Sequence, residues 1–206
     1  MNVGIIGTGN VGGALALRLA DAGHKVVLGV RDVNNFKGKE LLSSNKLITA
    51  KTITEAVSES DVIIIAATPA SVKSISELMG DVSGKVIIDA MNSVFGNPEP
   101  YSNTTEALLD LTNCADIVKC FNTTGFENMA DTKYGNAKID MFMAGDSKKG
   151  KDVARKLSEN IGYESCYDFG GNDKFQLIEQ FAMCWINLAI MQGYGRNIAF
   201  KVLTRD

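Results

Sequence analysis

Asn2-Val3-Gly4-Ile5-Ile6-Gly7-Thr8-Gly9-Asn10-Val11-Gly12 follows Met1 and decides how the rest of the chain reads. Val3 to Ile6 is a short apolar run suited to a buried parallel strand. The next six residues match G-x-G-x-x-G, and an alanine- and leucine-rich helix runs on toward Gly23. Lys25-Val26-Val27-Leu28-Gly29-Val30 is a second strand ending at Arg31. Strand, glycine turn, helix and strand within about 30 residues is the context that gives the glycine motif its meaning as a dinucleotide-binding unit.

Each glycine then has a task. Gly7 permits the tight turn out of the strand, Gly9 lets backbone approach a pyrophosphate, and Gly12 lets the helix lie close on the strand. The helix N-terminus offers unpaired N–H groups and partial positive charge to the phosphates, with Thr8, Asn10 and Val11 alongside them. A chain that prefers NAD ends its second strand in Asp or Glu, which accepts from the ribose 2′-OH. Here Arg31 stands where a guanidinium can fork a 2′-phosphate, and Lys37 can assist from the following loop. The reading favours NADP. Asp32, one residue off the acidic position, is the argument for NAD and leaves the size of the preference open.

Composition sets the outer bounds. The 206 residues are 45% hydrophobic and 22% charged, with a formal net charge of −3, enough for one good core and ordinary for an enzyme. No basic run suggests a nucleic-acid partner. Cys114, Cys120, Cys166 and Cys184 have no metal-ligand spacing, so no metal site is expected, and scattered thiols suit a reducing cytoplasm. The chain opens directly on a strand, and no leader is expected. The apolar stretch 181–191 is shorter than the roughly 20 residues a membrane span needs.

Along the chain, strands and helices alternate. A short helix is expected over 36–44, an extended piece over 47–50, and a turn over 55–59 capped by Thr54. Residues 61–67 read as a central strand running into Thr68-Pro69, with proline at the first position of a helix over 70–79. Further strands are expected over 85–89, 115–121 and 140–145, an extended piece over 163–169, and helices over 104–111 and 151–160. Such alternation predicts an α/β fold, a doubly wound Rossmann-type parallel sheet with right-handed crossovers. Residues 1–206 are expected to form one dinucleotide-binding domain, with a helical extension over about 172–206. Its helix, 175–192, carries a stripe of Leu177, Ile178, Phe181, Trp185, Leu188 and Ala189. That stripe should pack back across the sheet or against a second subunit, which would make a homodimer.

Several segments in order carry a resemblance: the glycine turn, the Gly29-x-Arg31 strand end, Ala67-Thr68-Pro69, Asp89-Ala90-Met91-Asn92 and Lys119-Cys120-Phe121-Asn122-Thr123. The tail Leu177-Ile178-Glu179…Asn187-Leu188…Gly193-Tyr194-Gly195 closes the series. Together they resemble the family of NADP oxidoreductases dependent on coenzyme F420, including its bacterial dinucleotide-binding relatives. The NADPH domain of the STEAP metalloreductases is similar through its own Phe-Asn-Thr segment. The resemblance implies hydride transfer between NADP and a flavin-type acceptor (F420, FMN or FAD, or a ferric-flavin system). By position, Thr8 to Val11 would hold the pyrophosphate and Arg31 the 2′-phosphate. Ala67, Thr68 and Pro69 would border the nicotinamide, and Asn92, Asn122 and Thr123 would line the floor where the second ring enters. Val30, Asp32 and Asn122-Thr123-Thr124 depart from the pattern of the archaeal enzymes, so the acceptor stays open.

The rest of the chain offers little proton-transfer chemistry. His24, the only histidine, falls between the first helix and second strand, away from the ligand edge, and is expected to be a surface or turn residue. Lys119, inside a strand, reads as a snorkelling or paired structural lysine. Tyr134 and Tyr167 show no recognisable partner. No catalytic acid–base is expected. Ring-to-ring hydride transfer suits that absence, since it needs alignment and dryness more than a proton donor. A pyrroline-carboxylate or β-hydroxyacid reductase would need a larger helical domain than residues 172–206 supply. A non-catalytic NADP-binding or sensor protein would keep every glycine and stays open.

Overall fold

The computed structural model describes residues 1–94 and 96–205. Its first half is two wound units. Strand β1 (Asn2–Ile6), helix α1 (Asn10–Asp21) and strand β2 (Lys25–Val30) are followed by the single turn α2 (Leu41–Ser44) and strand β3 (Ile48–Thr52). Helix α3 (Ile53–Ser58), β4 (Val62–Ile65), α4 (Val72–Met79) and β5 (Val86–Asp89) continue the alternation. Then come α5 (Thr104–Leu111), β6 (Asp116–Cys120) and α6 (Phe126–Ala130). A two-strand hairpin, β7 (Lys133–Tyr134) with β8 (Ala137–Lys138), precedes β9 (Met141–Ala144), α7 (Lys148–Asn160) and β10 (Cys166–Asp168). Helix α8 (Phe175–Ile186) closes the series and runs into a π turn, Asn187–Met191.

One eight-stranded sheet has the order β10-β9-β6-β5-β4-β1-β2-β3. From β3 to β6 every pairing is parallel, and the order reverses between β1 and β4, the place where such sheets open a ligand crevice. The central strands are apolar throughout because both faces are covered: Val62-Ile63-Ile64-Ile65 are all buried. Alternate residues along each strand feed two cores. Ile5, Leu28 and Ile64 face α1 residues such as Leu15 and Leu19, while Ile6, Ile63 and Ile65 meet Val57, Val72, Ile75 and Leu108 on the other side.

The structure amends the reading at its margins. Strand β9 runs antiparallel to β6, so the far edge of the sheet is mixed, a common condition at the edge of a large α/β sheet. The hairpin turn Gly135-Asn136 was not foreseen, although Gly-Asn between short strands is a hairpin signal and Gly135 has φ +61°. Helix α3 is capped by Thr52, not Thr54: the Thr52 hydroxyl accepts from Glu55 N while the Glu55 carboxylate takes the Thr52 N–H, a full capping box. Helix formation over 36–44 reduces to the last four residues. The segment 198–203 is irregular and lies against the sheet edge, where Asp140 N donates to Phe200 O.

The closing helix packs back on its own sheet. Phe175 and Ile178 are buried against Phe142 and Ala144 of β9. Phe181 sits edge-on to Phe142 at 4.7 Å and against Phe200 at 4.6 Å. Leu177 and Leu188, which the stripe placed inside, are exposed, along with Ile190, Met191 and Tyr194.

Candidate functional site

At the C-terminal ends of β1, β2 and β4 lies a cleft of about 1390 Å³. Its walls include Gly7, Thr8, Gly9, Asn10 and Val11, then Arg31, Asp32, Phe36 and Lys37, then Ala67, Thr68 and Ser71. Gly7 turns out of β1 with φ +98°, and a Cβ there would stand 2.5 Å from Ala66 O. Gly12 lies beneath the wall, packed on the backbone of Gly7. Gly9 is different: a Cβ would meet nothing within 4 Å, because it points into the cleft. Helix α1 has no side-chain cap at Gly9 and no acidic residue in its first turn. By contrast α3, α5 and α7 are capped by Thr52, Asn103 and Ser147. The open amides of α1 therefore face space of the size and polarity that a dinucleotide pyrophosphate requires, and the residues fit that group.

Charge at the adenosine end follows from the loop after β2. The Asp32 Oδ1 accepts from Asn34 N at 2.9 Å, an Asx turn that commits one carboxylate oxygen to the loop's own backbone. Arg31 and Lys37 are both exposed, and neither is paired with a carboxylate among the described residues. Two free cations beside a carboxylate tied into its turn suit a phosphate better than a bare hydroxyl.

Across the cleft, Thr68 stands at the N-cap position of the turn Pro69–Ser71 without a side-chain bond to its backbone. Its hydroxyl shares a 2.8 Å hydrogen bond with Ser71 Oγ, and Ser71 Oγ lies 2.7 Å from Thr68 O. Pro69 takes the first position of that turn, as its missing N–H allows, and Ala67 and Thr68 face the cleft while Pro69 backs them.

The third group of expected residues sits apart from this wall. Asn92 is half-buried, and its Nδ2 donates to Asn122 O at 2.7 Å while Asn122 Nδ2 donates to Asn92 Oδ1 at 3.0 Å. Asn122 and Thr123, expected beside Asn92 on the floor of the site, are buried. Thr123 Oγ1 contacts Met141 Sδ at 3.6 Å. The cause is the backbone of Phe121, buried with φ +61°, which turns the chain at the end of β6 and folds Asn122 back on Asn92. A non-glycine residue held there costs on the order of 1–3 kcal/mol and persists only where its surroundings fix it, commonly beside a functional site.

Those surroundings include a cluster the residue reading did not assemble. Lys119 is fully buried, with Nζ 2.9 Å from Asp89 Oδ2 and 2.8 Å from Glu179 Oε1. Asp89 Oδ2 also accepts from Thr104 Oγ1 at 2.6 Å and Thr105 Oγ1 at 2.7 Å. Burial works against the Lys119 ammonium, but the Asp89 and Glu179 carboxylates outweigh it and hold its pKa above the ordinary lysine value. Lys119 is thus a paired structural lysine, as its place in a strand suggested. One signal was available in the sequence: Asp89, Lys119 and Glu179 each interrupt an apolar run.

Other polar side chains find partners away from the cleft. His24 sits in the turn between α1 and β2, as expected, but is buried there and not on the surface. Its ring lies 3.3 Å from the N-terminal amine and 3.0 Å from Asn160 Oδ1. The Tyr134 hydroxyl donates to Asn128, and the Tyr167 ring stacks on Phe142 at 6.0 Å. Burial holds the Cys114 and Cys120 thiols above their ordinary pKa. Among the described residues no cluster of acidic, histidine or cysteine side chains is placed to hold a metal ion, and no helix is long and apolar enough to cross a membrane.

Residues 2–93 match the family model described as NADP oxidoreductase coenzyme F420-dependent. The chain is 28% identical to the F420-dependent NADP reductase of Methanothermobacter marburgensis, over 98% of each chain. It is also 28% identical to the metalloreductase STEAP3 of Rattus norvegicus, over 78% of this chain but 32% of that protein. Among solved structures, a putative F420 dependent NADP-reductase from Arthrobacter sp. FB24 superposes with a TM-score of 0.86 at 23% identity, covering 99% of this chain and 100% of that one. An imine reductase from Bacillus cereus shares the fold at a TM-score of 0.65 and 19% identity, over 93% of this chain and 62% of that one.

Proposed function

We propose that this chain, whose residues 2–93 match the model of coenzyme F420-dependent NADP oxidoreductases, passes a hydride between NADPH and a planar flavin-type acceptor. Bound NADPH would supply the hydride. The open amides from Gly9 to Val11 hold its pyrophosphate, and Arg31 and Lys37 neutralise the 2′-phosphate. Ala67 and Thr68 border the nicotinamide half, with Pro69 behind them. Asn92, backed by Asn122 and Thr123, forms the wall that the acceptor meets. Residues 1–206 act as one unit, with the extension from about residue 172 closing it over the ends of β5 and β6.

The observation that carries this reading is the state of the charged groups on those strands. Asp89 and Lys119 are bound to each other at 2.9 Å, with no solvent exposure, so neither is free to move a substrate proton. What the strand ends offer is an amide pair. Amides orient a ring without reacting with it, which is what hydride exchange between two stacked rings asks of a protein. The chain's likeness to a named F420-dependent reductase over nearly its full length supports F420, with FMN or FAD as the other acceptors to try.

The test is the absorbance of NADPH mixed with the protein and, in turn, F420, FMN, FAD and a ferric chelate. Oxidation with one of the first three is the expected result. Oxidation only with a small carbonyl or imine overturns the acceptor class, and failure with every acceptor favours a non-catalytic NADP-binding role. We also propose a homodimer, with a second copy covering Leu188, Ile190, Met191 and Tyr194 at the end of the closing helix. Sedimentation as a monomer at micromolar concentration counts against it.

A further inference from the structure

We propose that Glu179 is a positioning residue for Asn92, the residue assigned above to the acceptor, and acts with Asp89 and Lys119 to fix it from behind. This rests on the hydride-transfer reading above. Asn92 lies between two peptide groups that are each held by a buried carboxylate. Met91 N donates to Asp89 Oδ1 at 2.9 Å, and Ser93 N donates to Glu179 Oε2 at 3.0 Å. Both carboxylates converge on one ammonium, Lys119 Nζ, at 2.9 and 2.8 Å. With the backbone gripped on both sides, the Asn92 side chain closes on Asn122 at 2.7 and 3.0 Å. Three distant parts of the chain thereby set one asparagine: β5 through Asp89, β6 through Lys119 and the closing helix through Glu179.

Stability alone does not account for Glu179. Lys119 and Asp89 already form a neutral buried pair, further satisfied by the Thr104 and Thr105 hydroxyls. A second carboxylate pays desolvation to join them and leaves the cluster with more carboxylate than ammonium. Its distinctive bond is the one to Ser93 N, next to Asn92. Position at a protein–ligand wall is worth much in turnover, since misplacement by about 1 Å can cost about a hundredfold.

Three variants test this. Glu179→Leu leaves the neutral Lys119–Asp89 pair and should fold. Glu179→Gln keeps an oxygen for Ser93 N but removes the charge. Should Glu179→Leu not fold, Glu179→Asp, which withdraws the carboxylate by one methylene, is read in its place. Expected for Glu179→Leu is a kcat at least tenfold lower with the flavin or deazaflavin acceptor, while NADPH affinity by fluorescence titration stays within about threefold. Glu179→Gln should recover kcat to within about threefold of the unaltered chain. In an Asn92→Ala background, Glu179→Leu should have little further effect, because the two act as one unit. A second readout needs no acceptor: the side-chain amide protons of Asn92 and Asn122, followed by NMR, should lose exchange protection in Glu179→Leu and keep it in Glu179→Gln. Unchanged kcat and unchanged amide protection in folded Glu179→Leu overturn the proposal, as does a Glu179→Gln variant as impaired as Glu179→Leu. Absence of turnover in the unaltered chain counts against the hydride-transfer reading, and the amide protons still decide the role of Glu179.

Discussion

A Cβ at Gly12 would stand 1.8 Å from the carbonyl oxygen of Gly7. That distance is the close packing of helix α1 on the turn that leaves β1, and it separates two glycines with different duties. Substitution at Gly12 must push backbone against backbone, whereas a side chain at Gly9 enters open space.

Gly12→Val is therefore expected to destabilise the fold by about 3 kcal/mol or more, the upper range for forced overpacking. Gly9→Val should melt near the temperature of the unaltered chain yet lose NADPH binding, because the side chain fills the space in front of the α1 amides. Thermal melts paired with NADPH fluorescence titrations separate the two. A folded Gly9→Val protein that still binds NADPH would remove the pyrophosphate cradle from the reading.

Arg31 faces the cleft without a carboxylate partner among the described residues, while Asp32 is tied to Asn34 N at 2.9 Å. NADPH should bind about tenfold more tightly than NADH, a gap of about 1.4 kcal/mol. Arg31→Ala should close most of that gap and leave NADH affinity almost unchanged. Equal affinities before mutation would transfer the decisive role to Asp32.

Removing Lys119 alone should be far worse than removing the whole cluster. Lys119→Met leaves two buried carboxylates facing each other and is expected to cost about 3–5 kcal/mol in chemical denaturation. Adding Asp89→Asn and Glu179→Gln to Lys119→Met should regain most of that loss, since no net charge remains buried. If the triple variant is no more stable than the single one, packing of the lysine stem, not charge, holds these strands.

His24 gives a pH dependence of predictable sign. Burial, with the N-terminal charge and Lys156 acting alongside it and the Asn160 hydrogen bond opposing it, lowers its pKa in the folded protein below the ordinary 6.5. The unfolded chain then takes up a proton first as pH falls. The stabilising contribution is complete above about pH 6.5 and is lost as pH drops through the folded value. Melting temperature should fall from pH 7 to pH 5, and His24→Asn should flatten that slope. A melting temperature that rises toward pH 5 would mean the ring is stabilised in its charged form.

Much of this protein was legible from local pattern. The glycine turn between two short apolar strands identified the dinucleotide unit, because only glycine satisfies the Gly7 and Gly12 geometries at that spacing. Unbroken apolar runs such as Val62-Ile63-Ile64-Ile65 and Val86-Ile87-Ile88 marked central parallel strands, because both faces of such a sheet are covered and every residue must be apolar. The positions of Arg31, Lys37 and Thr68 on one cleft follow from that topology, since strand ends in a parallel sheet share an edge.

Tertiary structure alone decided the rest. A four-residue run such as Met141-Phe142-Met143-Ala144 reads the same in either direction, and only its pairing with Lys119 and Cys120 made it antiparallel. The partners of Lys119 come from Asp89 and Glu179, which lie 30 and 60 residues away along the chain, beyond any local pattern. The sequence shows that a lysine is placed where charge is costly. It takes the folded chain to bring two carboxylates to it, because buried charges are tolerated only at the end of packing that local propensity does not encode. Asn122 and Thr123 illustrate the same limit: their residue types suited a ligand wall, and only the fold shows that both are buried, in contact with Asn92 and Met141.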